Sequence, residues 1–564
     1  MKNGPVSPRV LILTSLFSHG LAAAAFPPVG GSPLVLVALA PWFYLLGRDT
    51  PPRGFLRAFL LGQGLYGFFR LGWLGGLAGA PQAGWAGTVL LTVVYVLIAW
   101  PVGWGFRRIW RRRPGTLIWA APLAFAANDA LRTWATGGLA WHDLGYALAD
   151  WPLLIQSADW GRVFPLTLWV VAGNVVAGEG WAVFRGRSGA RRWALRAAVW
   201  VLVTGALCGY GAWREADLSA QYREGPLVIG AQPAITQEKK LQKIGRAKEF
   251  EIMMDLLRRG TAEAGVADLY VLPETSFFTA DETDRLPSRR RGLPLDGLLN
   301  RPFRYGGRRV DVRGAFREVM KAGDKGPRSR SPRIVMGLVQ FEEDRKEVVE
   351  ANRAVLVDTS REKLRVLDHY DKRRLVPFGE YLPFKDTFFG KDLEDYVTRT
   401  AGYRPGQTPG ERDVLWQVSP AGPRFAVNIC FEIVFPDDFV RAREAGADFV
   451  VNISNDGWYD DSGERELVHA QTRFRAVENR RSVVRLSNTG ISAVIGPLGE
   501  EVAVVEKDGR RLSVPGVLVG RPPLLPRDVG PFPTAIWAPW MVLAAFLAAV
   551  AGTSIGKSRS RPEL

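Results

Sequence analysis

Three side chains that could share one reaction stand at the ends of short apolar runs or in the loops beyond them: Glu274, Lys372 and Cys430. Glu274 closes ADLYVLPE (267–274), Lys372 lies in HYDKRRLVPFGEYLP (369–383), and Cys430 closes FAVNIC before FEIVFPDDF turns into a helix. A thiolate at a strand-to-helix turn gains from backbone N–H groups and a nearby cation, both of which lower its pKa. A carboxylate can take the thiol proton, and a lysine can stabilise a developing oxyanion. Each residue also has a plainer reading. A lone strand cysteine is usually a small core hydrophobe, Glu274 can simply cap a strand, and Lys372 sits in a DKRR run of the kind that is normally solvated.

The elements that must position these groups follow from periodicity. Strands are predicted at 226–232, 267–274, 333–341, 353–359, 424–432, 447–456 and 482–496, with helices at 236–264, 435–446 and 463–480. Continuous apolar strands separated by amphipathic helices argue for a layered α/β domain over 214–533. On either side the chain is apolar and Trp-rich. Runs long enough to cross ~30 Å of hydrocarbon fall near 10–26, 33–47, 55–78, 85–106, 115–133, 162–184, 193–213 and 534–556. The second is short enough to be one arm of a re-entrant hairpin. These runs divide the 564 residues into a seven-span membrane domain (1–213), a soluble domain (214–533), and an eighth span with a basic tail (534–564).

The formal charge of +17 is placed unevenly. Five short segments (1–9, 47–57, 107–113, 185–196, 557–564) carry 18 Lys and Arg against two acids, leaving +1 for all the rest. Charge confined to connectors orients spans in a bilayer, and the overall charge gives no evidence of a basic face for nucleic acid on the soluble domain. Connectors 27–32 and 79–84 carry no charge, and 134–161 carries three Asp and no Lys or Arg. The alternation puts both termini in the cytoplasm and 214–533 outside it. Cys208 lies in an apolar helix and Cys430 in the soluble domain, so a disulfide between them is implausible. The four His are scattered, which argues against a zinc cluster.

The soluble region resembles the nitrilase superfamily, with its αββα sandwich, and the whole chain resembles the apolipoprotein N-acyltransferase family. The resemblance rests on LPE at 272–274, YDKRRLVPFGEYLP at 370–383, NICFE at 428–432, ISNDGWYDDS at 453–462 and LSNTGISAVIGPLGE at 486–500, in this order between the apolar spans. It implies Glu274 as general base, Lys372 as oxyanion stabiliser and Cys430 as nucleophile. Glu380, Glu432 and the backbone N–H of Phe431 are implied in support. The implied reaction is ping-pong: Cys430 takes an acyl chain from a membrane phospholipid as a thioester and passes it to the N-terminal amine of a diacylglyceryl-cysteine lipoprotein. The setting is a bacterial inner membrane, and neither metal nor organic cofactor is implied. A membrane-anchored amidase or nitrilase using the same triad with water is the alternative; eight spans argue against it.

Other residues divide more evenly between functional and structural readings. Trp458 in NDGWYDD is either core or an acyl-chain contact, and Trp141 in GLAWHDLGY is an interfacial anchor or a substrate contact. Asp129 and Arg132 at i,i+3 form a polar pair on the fifth span, and His469 is read as structural. Where the family commonly has a His two residues after the lysine, this chain has Arg374; where its first strand often reads Gln-Gly-Asn-Ile, this chain has Gln232-Pro233-Ala234-Ile235. The stretch 281–332 is long and basic, and reads as a solvated insertion or a headgroup contact. The charge alternation makes a direct prediction about topology. A reporter fused after residue 220 is expected to be active only outside the cytoplasm, and one fused at residue 110 only inside; reversal at either site would overturn the eight-span arrangement.

Overall fold

In the computed structural model, the residues described are 6–47, 52–77, 81–112, 115–141, 143–186, 189–241, 243–278, 299–300, 303–305, 308–323, 332–344, 347–359, 363–377, 379–382, 387, 390–401, 406–459 and 462–555. Most of the basic stretch 281–332, His142 and the 557–564 tail lie outside them. The chain forms two compact units: Met1–Leu74, Trp85–Ala220 and Pro531–Leu564 make one, Gly75–Gly84 and Gln221–Gly530 the other.

In the first unit each predicted span position carries helix, and among the described residues four helices are long and apolar enough to cross a bilayer: Gly84–Arg112, Phe164–Phe184, Ala190–Ser219 and Thr534–Thr553. The last-but-one continues to Ser219, past the predicted end at 213. The second predicted span is not continuous. It is a 3-10 turn, Ser32–Leu36, followed by a short helix, Ala40–Leu46. Pro41 has no N–H and falls in the first turn of the second piece, where the missing donor costs no intrahelical bond, so a new helix starts there. The freed backbone is satisfied from a neighbour: Asn174 on Phe164–Phe184 accepts from the Leu39 N–H at 2.7 Å and donates to the Val35 carbonyl at 2.7 Å. Such repair is what an apolar surrounding demands. A ring cluster of Trp42, Phe43, Phe55, Phe59, Phe106, Trp110 and Phe125 packs this unit.

The second unit is built on β1 (Val228–Gln232), β2 (Leu269–Val271), β3 (Phe277–Phe278), β4 (Phe303–Tyr305), β5 (Arg308–Val310), β6 (Arg333–Asp344), β7 (Glu347–Asp358), β8 (Arg365–Asp371), β9 (Trp416–Gln417), β10 (Arg424–Ile429), β11 (Phe449–Ser454), β12 (Ser482–Ser487), β13 (Ala493–Ile495), β14 (Glu501–Val504) and β15 (Gly516–Gly520). Among the described residues they form a sheet in the order β15-β1-β2-β6-β7-β8, with β3 beside β6, and a second in the order β14-β13-β12-β11-β10-β9. Both are mixed, with parallel centres at β1-β2-β6 and β10-β11-β12. One core lies between them, where Val228, Val271, Val335 and Ala354 of the first sheet belong with Val427, Ile429, Val451 and Leu486 of the second. The other face of the first sheet packs on helices Lys243–Ala264 and Val312–Ala322 through Met253, Leu257 and Phe316. Helices Pro436–Glu444 and Glu464–Asn479 follow the second sheet's strands, giving the layered α/β arrangement.

Strand ends differ from the predicted ones where the chemistry is. β2 stops at Val271, three residues before Glu274, and β10 stops at Ile429, so that Cys430 opens a 3-10 turn instead of closing a strand. The segment after β2 lies against β6: Leu272 donates to the Val335 carbonyl at 2.8 Å and Ser276 to that of Gly337 at 3.0 Å. Gly337 permits this approach, since a Cβ there would meet Glu274 Cα at 2.6 Å and the Pro273 carbonyl at 2.7 Å. Gly337→Ala must therefore push backbone against backbone. It is expected to cost ~1–3 kcal/mol in a denaturation midpoint, whereas Gly406→Ala, where an added Cβ meets nothing within 4 Å, stays within ~0.5 kcal/mol.

Candidate active site

The deepest part of the site is an ammonium held by two carboxylates. Lys372 leaves the end of β8 and is almost wholly buried; its Nζ donates to Glu380 Oε1 at 2.7 Å and to Glu274 Oε1 at 3.4 Å. Burial opposes its charge, but Glu380, Glu274 and Cys430 outweigh that and hold the ammonium well above the ordinary lysine range. The loop is tied at both faces. The Lys372 N–H donates to the Asn352 carbonyl at 2.8 Å, and the Lys372 carbonyl accepts from the Gly410 N–H at 2.9 Å. Glu380 closes its own turn by accepting from the Val376 N–H at 2.8 Å. The DKRR run, which reads as solvated, thus delivers one of its cations into the interior.

Glu274 is equally fixed. Its Oε1 also accepts from Asn352 Nδ2 at 2.7 Å, and its Oε2 accepts from the Asn455 N–H at 2.6 Å. Asn352, in the middle of β7, reaches Glu380 Oε1 as well at 3.2 Å, so one amide links the two acids that share Lys372. Neither Asn352 nor Asn455 was singled out by residue type. Asn352 is visible in the sequence only as a polar break in an apolar strand, and Asn455 only as part of the ISNDGW segment.

Cys430 is partly exposed, has φ +51° and begins the turn Cys430–Val434. A non-glycine residue in this region is strained, and such positions cluster at functional sites. The expectation of a lowered thiol pKa is overturned. Burial, then the charge of Glu274, with smaller contributions from Asp456 and Glu380, outweighs Lys372 and pushes the thiol well above its usual value. The local cation is present, but three carboxylates from other strands and loops surround it, and at rest the sulfur keeps its proton. Phe431 follows as the second residue of the turn, where the first N–H groups of a helix have no acceptor within it; its ring meets Phe435 edge-on at 5.2 Å.

Glu432 takes a positioning part. Fully buried, it accepts from the Ile429 N–H at 2.7 Å on Oε2, and from Tyr370 Oη at 2.8 Å and the Arg373 and Arg374 N–H groups at 2.7 and 3.1 Å on Oε1. It clasps the Cys430 turn to the lysine loop. Burial pushes its carboxyl up to about 7, against the pull of those donors. Arg374 lies over the Phe435 ring at 4.9 Å and pairs with Asp438 at 3.5 Å. Behind the site Arg485 on β12 and Asp456 after β11 make a buried ion pair at 2.6 Å; burial works against the Asp456 carboxylate, but Arg485, Ser454 and Ser487 hold it below the usual range. Ala234 adopts φ +55°, a conformation where Asn is commoner than Ala, and Asn488 clamps it by accepting from the Ile235 N–H at 2.9 Å and donating to the Ile235 carbonyl at 2.7 Å. Trp458 is half-buried on the turn Asp456–Tyr459. Trp141 belongs to the helical unit, buried with its ring 4.9 Å from that of Trp73. There Arg132 bridges Asp129 at 2.7 Å and Asp143 at 3.0 Å, and in the second unit His469 Nε2 meets Glu501 at 2.6 Å.

The profile of the apolipoprotein N-acyltransferase N-terminal domain matches residues 18–176, and that of the carbon-nitrogen hydrolases matches 228–517. An apolipoprotein N-acyltransferase from Rhizobium meliloti (strain 1021) is 30% identical over 532 residues, 90% of this chain and 87% of that protein. This chain belongs to the apolipoprotein N-acyltransferase family. A relative of the same name from Geobacter metallireducens is 29% identical over 505 residues, covering 87% of this chain and 86% of its own. Among solved structures an amidase from Nesterenkonia sp. is similar at 18% identity and TM-score 0.33, over 53% of this chain and 91% of that one. The family's two profiles fall on the two parts that the apolar pattern separates, the N-terminal one on the helical segments and the hydrolase one on the two-sheet unit.

The clasp at Glu432 makes a testable point about positioning. Glu432→Gln retains one acceptor oxygen and puts an amide donor against either the Ile429 N–H or the Tyr370, Arg373 and Arg374 donors. One such mismatch is expected to cost ~1–3 kcal/mol in thermal or denaturant unfolding, with the Cys430 turn loosened. An unchanged midpoint would show that the four contacts contribute nothing to the fold.

Proposed function

We propose that this chain transfers a fatty acyl group from a membrane phospholipid to the N-terminal amine of a diacylglyceryl-cysteine lipoprotein, through a thioester on Cys430. The observation that carries this reading is the meeting, from both sheets, of the Cys430 thiol, a carboxylate fixed by three partners and a buried ammonium. In the first half-reaction the Cys430 thiol gives its proton to Glu274 as sulfur attacks the ester carbonyl. Lys372 Nζ and the Phe431 N–H face the oxyanion that forms. Collapse breaks the ester C–O bond, the leaving lysophospholipid oxygen takes the proton back from Glu274, and the thioester remains. In the second half the lipoprotein amine attacks the thioester, its proton passes by way of Glu274 to the departing sulfur, and the amide forms.

Membership of the family supports lipoprotein substrates and a membrane setting. We place the enzyme in a bacterial inner membrane, with segments 1–213 and 534–564 holding the spans, both termini cytoplasmic, and 214–533 as the extracytoplasmic catalytic domain. Long-chain donor and acceptor both stay in the bilayer, which gives the spans their purpose. Trp458 and Trp141 are proposed as contacts to substrate chains. Glu380 and Glu432 act by positioning: one anchors Lys372, the other the nucleophile turn.

Intact-mass measurement tests the chemistry. Protein purified from native membranes without acceptor is expected to carry one fatty acyl group on Cys430, labile to neutral hydroxylamine. Cys430→Ala should lack it, and Glu274→Ala and Lys372→Ala should form it ~10²–10³-fold more slowly. A diacylglyceryl-cysteine peptide should discharge the adduct to N-acyl peptide far faster than water does. Equal discharge by water would favour the hydrolase alternative, and an adduct persisting in Cys430→Ala would overturn the nucleophile assignment.

A further inference from the structure

At one end of the helical unit an open groove of about 580 Å³ is bounded by Val10 and Thr14 on Pro8–Ala24, Ala40 and Tyr44 on Ala40–Leu46, and Ala177 and Trp181 on Phe164–Phe184. Its size is that of a small-molecule site, for which ~300–1,000 Å³ is usual, and its wall is almost wholly apolar. The wall is firm as well: a Cβ on Gly178 would meet the Ala40 carbonyl and the Tyr44 nitrogen at 2.8 Å, so two of the segments touch backbone to backbone.

All three segments have a terminus here. Val10 and Thr14 lie in the first two turns of their helix, Tyr44 in the last turn of its own, and Trp181 in the last turn of the third. Two exposed arginines lie at those termini, and a third stands in the turn beside one of them. Arg9 precedes Val10, and Arg185 follows Trp181 by one turn, its N–H donating to the Trp181 carbonyl at 3.1 Å. Arg53 precedes Gly54, where a Cβ would touch Pro8 at 3.1 Å. None of the three has an ion-pair partner among the described residues. Glu179, the acid on the lining helix nearest Trp181, is held by Arg196. An apolar slot with an aromatic mouth and a cationic rim is complementary to a molecule with a long apolar chain and an anionic head.

We propose that this groove holds one acyl chain of an anionic phospholipid, its headgroup on Arg9, Arg53 and Arg185, as a resident lipid bound independently of acyl transfer. The site is assigned by groove and charge alone and does not depend on the chemistry at Cys430. The test is native mass spectrometry of the full-length detergent-solubilised protein, titrated with phosphatidylglycerol or with phosphatidylcholine of the same chains. Intact lipid differs in mass from an acyl adduct, so the two are counted separately. Wild-type protein is expected to retain one phosphatidylglycerol at a concentration on the order of tenfold below that needed for phosphatidylcholine. Ala177→Trp fills the slot and should lose that retention by at least about tenfold; Thr14→Leu, a smaller change on the opposite wall, should weaken it in the same sense. The triple variant Arg9→Gln, Arg53→Gln, Arg185→Gln leaves the slot intact and should bind phosphatidylglycerol only as well as phosphatidylcholine. Lipid-free melting in detergent checks that each variant is folded. Equal affinity of the wild type for both lipids, or undiminished retention in folded Ala177→Trp or Thr14→Leu, overturns the proposal.

Discussion

A buried ammonium needs counter-charge, and much of the catalytic unit is arranged to supply it to Lys372. Two carboxylates lie within hydrogen-bonding reach of its Nζ, and a single asparagine amide ties those carboxylates to each other. Removing Lys372 would leave two buried carboxylates without their cation, which typically costs more than the pair contributes. Glu274 comes from the loop after β2, Asn352 from β7, and Lys372 and Glu380 from the loop after β8. Strand order in the first sheet, with β6 between β2 and β7, sets the separation that these side chains span.

The second sheet contributes the sulfur, and its contribution is anchored by a different carboxylate. Glu432 accepts four hydrogen bonds, one from the end of β10 and three from β8 and the lysine loop. The two sheets are therefore joined at the site by polar contacts as well as by the shared apolar core. A strained φ at Cys430 persists because its surroundings over-determine it. The buried Arg485–Asp456 pair stiffens the neighbouring strand ends in the same manner, through Ser454, Ser487 and Asn452.

Periodicity alone was enough to read a layered α/β unit between apolar helices, because apolar runs and their breaks are local; its two-sheet form came from the family resemblance. The second span failed as a continuous helix because a new helix starts at Pro41, and the compensating Asn174 is 135 residues away from Leu39. Cys430 and Glu274 were legible as reactive types beyond apolar runs. Lys372 needed the family's motif, since nothing local in DKRR tells which cation turns inward. Asn352 was not legible at all: its partners lie 78 and 28 residues away. The thiol's direction of shift was misread for the same reason. Local sequence shows the cation and the helical turn, while the carboxylates that overrule them arrive from other strands.

The protonated state of Cys430 bears on the chemical durability of the enzyme. Peroxides, disulfides and alkylating agents react with the thiolate, and a thiol that holds its proton reacts with them slowly. In the extracytoplasmic setting proposed above, no glutathione pool would stand ready to reduce a damaged cysteine. On the proposed mechanism, the carboxylates that delay ionisation until a carbonyl is in place also protect the sulfur from oxidation while it waits, and shelf life and selectivity come from one electrostatic arrangement.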